Sequence, residues 1–294
     1  MFFSYLEMTE ALSFLSFEGT TKRLLIQLAI CFIIVQLLGV AVAYKLLPQK
    51  ELRVKIVSEN PNAIENAFAL VAYILIFTGF LLFLIFFVKG LFGIFLRIME
   101  FLALFGSSTV VFSVLLENSL IGLILAFLLV LLREIFREKI LIKNVAAIVA
   151  VAGVGALIGL SLGILPTITF LVLLSIYDLI AVFKTKHMVI LAKNITQRNI
   201  AFTIAMPTPK HVFELGTGDF VLPLVFVTSV LAFSNAVMPV RILGCALIAL
   251  SSLLGLVITA YICSKNIGIV LPALPPQGSL MLFTFGVLNI LGII

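Results

Sequence analysis

The chain has 294 residues, of which 63% are hydrophobic and 11% charged, and its mean hydropathy is +1.32. Soluble domains carry roughly 25% charged residues, and a fold of this length has too little interior to hide so much apolar side chain, so lipid must solvate much of it. The net charge of +6 has an ordinary source in basic loops on the cytoplasmic face, and no basic face interleaved with aromatics points to nucleic acid.

Glu7, Glu10, Glu18, Lys22 and Arg23 precede the first apolar run. A cleaved signal peptide has a basic start and a short apolar core, so the first span is expected to stay in the mature protein. A membrane helix needs about 20 apolar residues. In chain order such runs fall at Leu24–Tyr44, Ala67–Val88, Leu91–Leu116 and the shorter Ser119–Leu132. The third holds Arg97 and Glu100, three apart on one face and expected to pair or to snorkel. Residues 145–183 are too long for one helix, and Gly163 and Pro166 divide them into Val145–Leu162 and Leu165–Phe183. A polar segment, Lys184–Gly218, precedes three more runs at Asp219–Val237, Ile242–Cys263 and Gln277–Ile294. The predicted fold is an all-α polytopic membrane protein of nine transmembrane helices. Placing the N-terminus in the cytoplasm puts 13 of the 19 basic residues on the inner side, so the N-terminus is expected inside and the C-terminus outside. The basic first loop, with Lys45, Lys50, Arg53 and Lys55, opposes this bias.

Cys31, Cys245 and Cys263 lie inside apolar runs without paired spacing, so neither a disulfide framework nor a zinc site is indicated. His187 and His211 are the only histidines, both in the polar segment, and no HExxH occurs. No cofactor or metal is expected. Asn194 begins an N-x-T, but in a segment placed inside, where glycosylation does not occur.

Eleven of the 13 acidic residues are glutamates; the only aspartates are Asp178 and Asp219, both within predicted spans. A charge at membrane depth costs at least ~2.5–3.5 kcal/mol and marks a functional site by default; a structural bond to a neighbouring helix is the other use of such a group. Asp178 lies six residues before Lys184, about 9 Å from the inner end of its helix, and Asp219 opens the next, antiparallel helix. Both carboxylates therefore come to similar depth from the cytoplasmic side. Two facing carboxylates share a proton, leaving one base and one acid, as water attack on a peptide bond requires. The same pair could instead carry protons or cations through a transporter or channel; a non-catalytic scaffold gives no reason for the pair.

Around the pair stand Tyr177-Asp178, Gly216-Thr217-Gly218-Asp219 and Leu271-Pro272-Ala273-Leu274-Pro275. Gly216 and Gly218 would let a substrate backbone approach Asp219, or simply form a flexible helix entry. Pro223 has no N–H, so the Asp219 carbonyl loses its helical partner. Pro272, Pro275 and Pro276 are expected to hold the run before the last span out of helix. Residues His211–Leu215 alternate in part and read as a short strand beside Asp219, with the Phe213 N–H a donor to an extended substrate.

Taken together, Tyr-Asp, GxGD and Pro-Ala-Leu in this order resemble the presenilin and signal peptide peptidase family of intramembrane aspartyl proteases. Pro-Ala-Leu-Pro and the Phe220 that follows the GxGD look more like presenilin, and the length suggests a microbial homologue. Thr217 departs from the Leu usual in eukaryotic members. Prepilin peptidases follow their GxGD with x-Lys, where this chain has Val221. The resemblance implies Asp178 and Asp219 as catalytic residues, with Tyr177, Gly216, Thr217, Gly218, Leu271, Pro272, Ala273 and Leu274 binding substrate or supporting the site. It implies scaffold helices one to five in residues 1–163 and catalytic helices six to nine in residues 164–294, with the cytoplasmic loop 184–218. Single-span membrane proteins would be the substrates and the lipid bilayer the medium. The location would be the cell membrane of a microbe or an endomembrane of a eukaryote. The residues leave open a homo-oligomer or accessory subunits.

Overall fold

The structure is a computed structural model that describes residues 2–49, 54–185, 199–208, 212–265 and 271–294. Among these residues the chain forms nine α-helices: α1 (Phe2–Leu46), α2 (Glu65–Phe87), α3 (Lys89–Leu116), α4 (Ser119–Ile135), α5 (Ile140–Ser161), α6 (Ile164–Leu179), α7 (Gly218–Phe233), α8 (Met238–Lys265) and α9 (Leu274–Ile290). Six stretches are long and apolar enough to cross a membrane: Thr20–Leu46 of α1, Glu65–Phe87, Gly90–Leu116, Ile140–Ser161, Ile164–Lys184 and Met238–Lys265. Their outward faces carry Ile, Leu and Phe, as at Ile76, Phe87 and Leu141, each at least 70% exposed. With no water in hydrocarbon to pair backbone groups, helices are the form such segments take.

The element boundaries follow local chemistry. Val88, whose backbone is not helical at φ −135° and ψ 60°, separates α2 from α3 and fixes a border that composition alone blurs. Asn118 caps α4, its side-chain oxygen accepting from the N–H groups of Leu120 and Ile121 at 3.0 and 3.1 Å. Gly163 divides α5 from α6, and Pro166 sits in the first turn of α6, where its missing N–H costs nothing. The seventh helix stops at Phe233, short of the expected Val237, because Ser234 is extended at ψ 146°.

One element departs from the all-helical expectation. β1 (Thr203–Pro207) and β2 (Val212–Gly216) pair as an antiparallel ribbon, with Thr203 opposite Gly216 and Pro207 opposite Val212. The expected strand is thus present from Val212 onward, while His211 and Asn194 lie outside the described residues.

α5 and α7 sit at the centre. The core joins Ala152, Ala156 and Leu160 of α5 to Phe226, Val227 and Val230 of α7, with α1, α6, α8 and α9 packed around them. Small residues permit the approach: a Cβ on Gly159 would fall 2.5 Å from the Val225 carbonyl. Without a hydrophobic force between helices in lipid, such close packing is the main source of association.

Glu100 does not pair with Arg97. It turns inward to Arg133 of α4 at 3.1 Å, both side chains at most 7% exposed, while Arg97 is exposed. A buried carboxylate needs a partner that is itself buried, and Arg97 points outward. Glu100 also accepts the Ala201 N–H at 2.9 Å, and Arg133 reaches the carbonyls of Arg137 and Asn199. This cluster ties the segment before β1 to α3 and α4.

Candidate active site

Asp178 lies in the last turn of α6, half-buried. Directly after it the backbone widens into a π-helix, Ile180–Thr185, a feature that often accompanies functional sites. Asp219 is the second residue of α7, also half-buried. Gly216 ends β2, Thr217 precedes the helix and Gly218 begins it, so the GxGD run is the junction between ribbon and helix.

The two aspartates meet on the first turn of α9. The Leu274 N–H donates to Asp178 Oδ2 at 3.3 Å. Three residues on, Gln277 Nε2 donates to the Asp219 carbonyl at 3.2 Å. Residues three apart lie on one helix face, about 5–6 Å between Cβ atoms, so one helical turn bridges both. Pro272, Ala273 and Leu274 are buried and Leu271 half-buried.

The prolines of this run do not all stand outside helix. Only residues 271–273 are outside helix; Pro275 and Pro276 lie in the first turn of α9. Proline suits that turn because its N–H would lack a partner in any case. The turn is seated by glycine on α8: a Cβ on Gly255 would fall 2.8–2.9 Å from Gln277 Cα, Gln277 N and the Pro276 carbonyl. On its other side Gly278 faces Ser175 of α6, 3.1 Å from its hydroxyl to an added Cβ.

Thr217 has a use internal to the fold. Its N–H and hydroxyl lie 3.0 and 3.1 Å from the Phe202 carbonyl, fastening the GxGD to the start of the ribbon. A leucine there has no hydroxyl to make the second contact. Tyr177 is half-buried and packs on the main core, as a wall would.

The ribbon is locked on one edge. Asn144 of α5 acts as a mock strand: its Nδ2 donates to the Ala205 carbonyl at 2.7 Å and its Oδ1 accepts the Ala205 N–H at 2.8 Å. Gln27 of α1 donates to the Pro207 carbonyl at 3.2 Å. Below the ribbon, Lys143 pairs with Glu214 at 3.1 Å, Lys143 being 1% exposed, and Thr203 donates to the same carboxylate at 2.5 Å. Because Ala205 spends both backbone groups on Asn144, its pair with Glu214 is a non-hydrogen-bonded one. The alternation turns the backbone groups of Val212, Glu214 and Gly216 to the outer edge of β2, which meets no further strand among the described residues. Phe213 and Leu215 bond inward to Met206 and Ile204. The outward donor expected at Phe213 is therefore one residue away on either side, since strand direction alternates and the partner strand sets the phase.

Sequence reading did not find Gln277, Asn144 or Lys143. Gln277 had a signal, an amide in the first turn of an apolar run, facing a carbonyl already expected to be free.

A model of the family "Signal-peptide peptidase, presenilin aspartyl protease" matches residues 29–212. No curated protein matches the chain. Among solved structures, a presenilin family intramembrane aspartate protease in space group C222 superposes with TM-score 0.64 at 23% identity, covering 91% of this chain and 99% of that one. A presenilin family intramembrane aspartate protease in space group P2 gives TM-score 0.61 at 26% identity, covering 90% and 97%. With the family model matching more than half of its length, and with solved folds of that kind superposing along nearly all of it, this integral membrane protein belongs to the signal-peptide peptidase and presenilin aspartyl protease family and is an intramembrane aspartic endopeptidase.

Proposed function

We propose that Asp178 and Asp219 are the catalytic pair, hydrolysing peptide bonds within single membrane spans. The observation that carries this is their common attachment to the first turn of α9. With one proton shared, the ionised carboxylate takes a proton from water as its oxygen attacks the scissile carbonyl carbon. The protonated partner gives its proton to the carbonyl oxygen. Collapse of the resulting gem-diol breaks the C–N bond as the nitrogen takes up a proton, and the pair returns to its starting charge. Cleavage therefore depends on the singly protonated pair, and the rate falls on both sides of an optimum pH. The family match favours this over proton- or cation-coupled transport by the same residues.

A helical substrate must unwind to expose its amide, and its freed backbone groups need partners in a water-poor site. The outer edge of β2 is suited to supply them by strand addition. Gly216, at the end of that edge, lies beside Asp219: a Cβ there would stand 3.9 Å from Oδ2. Tyr177, Gly218 and Leu271–Leu274 then border the bound strand.

The same reading has nine membrane spans, an N-terminus inside and a C-terminus outside. Residues 1–163 form a scaffold, and residues 164–294, with the cytoplasmic segment 184–218, hold the catalytic parts. The nine helices and the basic-residue bias support it. One chain provides both carboxylates, so accessory subunits or a second copy are not needed for the chemistry. A non-cleavable substrate analogue with a hydroxyl-bearing carbon at the scissile position tests the site: it should inhibit cleavage by purified protein. Undiminished cleavage at saturating analogue would count against an aspartyl pair.

A further inference from the structure

We infer that Gln277 is a positioning residue for the peptidase reaction: it replaces the backbone hydrogen bond that Pro223 removes from Asp219, and so holds one half of the catalytic pair at a fixed distance from the other. Pro223 stands four residues after Asp219 in α7, and a helical carbonyl is normally capped by the N–H at that spacing. Proline has none. The neighbouring Phe220 carbonyl keeps Leu224 as its helical donor, and the 3.4 Å approach of Gln36 Nε2 only adds to it. At Asp219 the helix offers no backbone donor, and the side-chain amide of Gln277 takes that place.

Gln277 is fully buried and its Oε1 has no partner. Burying an amide and leaving its acceptor unmade costs free energy, which is hard to reconcile with a mere filler in an apolar helix. The amide orientation follows from the contact, since only Nε2 can face a carbonyl oxygen. Gly255 makes the reach possible by letting the α9 turn sit against α8 with no side chain between. Because Leu274 in that turn also donates to Asp178, the chain Asp178–Leu274–Gln277–Asp219 ties α6 to α7 through α9. A bond from a side chain rather than from the helix lets α9 control where Asp219 sits.

The inference rests on the assignment of Asp178 and Asp219. The test is a double-mutant cycle on the full-length protein in lipid, with a single-span reporter. Gln277→Met keeps volume and removes the donor. On the native background it should lower kcat about tenfold, the size of one net hydrogen bond, with KM changed less than about twofold, since substrate contacts are untouched. On a Pro223→Ala background, where residue 223 regains its N–H, the same substitution should cost less than about twofold. Gln277→Asn keeps the amide but shortens its reach by one methylene, and should show the same dependence on background; it serves if the methionine variant does not fold. Equal losses on both backgrounds, a loss confined to KM, or native kcat in the single variants would overturn the inference. Asp178→Asn and Asp219→Asn run alongside: if they abolish cleavage while the cycle shows no coupling, only the role of Gln277 falls. If they cleave, the assignment of the pair falls with it.

Discussion

Gly216 and Gly218 are not required by the fold of the chain that contains them. A Cβ on Gly218 would meet nothing within 4 Å, one on Gly216 would stand in ordinary contact with Asp219, and neither has positive φ. Open space thus adjoins Asp219, and on the proposed reading an extended substrate backbone would occupy it. Gly218→Ala is expected to purify and melt as the native protein does while losing about 100-fold in kcat/KM, the effect of displacing a reacting group by roughly 1 Å. Paired thermal melts and reporter cleavage measure the two; full activity would leave Gly218 as a simple helix entry. Asp178 and Asp219 stood out in the sequence because membrane depth makes any charge costly and the chain has no other aspartate. Gln277 did not, because its purpose depends on a carbonyl 58 residues away. Thr217 was legible as a departure, yet its bond to Phe202 needed the ribbon to be seen.

At the scale of elements, the ribbon and the first turn of α9 decide the geometry. β2 was partly legible from alternation, but β1 was not. Thr203–Met206 are buried on both faces, so no period of two marks them. The proline run misled for a related reason: prolines that stop a helix and prolines that start one look alike without the helix in place. The ladder gives a test of phase. Val212→Pro removes an outward N–H at an exposed position, which an edge strand tolerates; it should leave stability within about 0.5 kcal/mol and weaken cleavage of substrates that bind as strands. Phe213→Pro removes a bond of the ribbon itself and should destabilise the protein by ~3 kcal/mol or more. Melting curves and cleavage rates of both variants report on it; the reverse ranking in stability would show the phase to be wrong. Gly255→Ala forces a Cβ against the α9 backbone and should lower kcat without removing any polar group of the site.

Across the whole molecule, buried polar contacts bolt the ribbon to α3, α4 and α5. Glu100 with Arg133, Lys143 with Glu214, and Asn144 with Ala205 join α3, α4 and α5 to the segment leading into Asp219. Their sequence signal was slight, since charges near span ends usually snorkel to water; burial comes only from the ribbon folding over them. Removing one member of a buried pair costs ~3–5 kcal/mol because the other is left uncompensated. Lys143→Met should therefore destabilise strongly, and Lys143→Met with Glu214→Leu should recover part of the loss, as thermal unfolding in detergent would show. Equal stability of the single variant and the native protein would mean that the pair holds nothing. The helical, membrane-spanning character of the chain, by contrast, was readable from run lengths, because a long apolar run in lipid satisfies its own backbone groups as a helix; among the described residues six such stretches are long and apolar enough to cross a membrane. Hydrolysis of a peptide bond inside a membrane span by two aspartates from neighbouring helices is tested most directly by mass spectrometry of a single-span substrate incubated in the same vesicles with native protein, Asp178→Asn and Asp219→Asn. The result predicted is a cut within the apolar span by the native protein and at least about 1,000-fold slower product formation in each variant; the same products at comparable rates in either variant would contradict it.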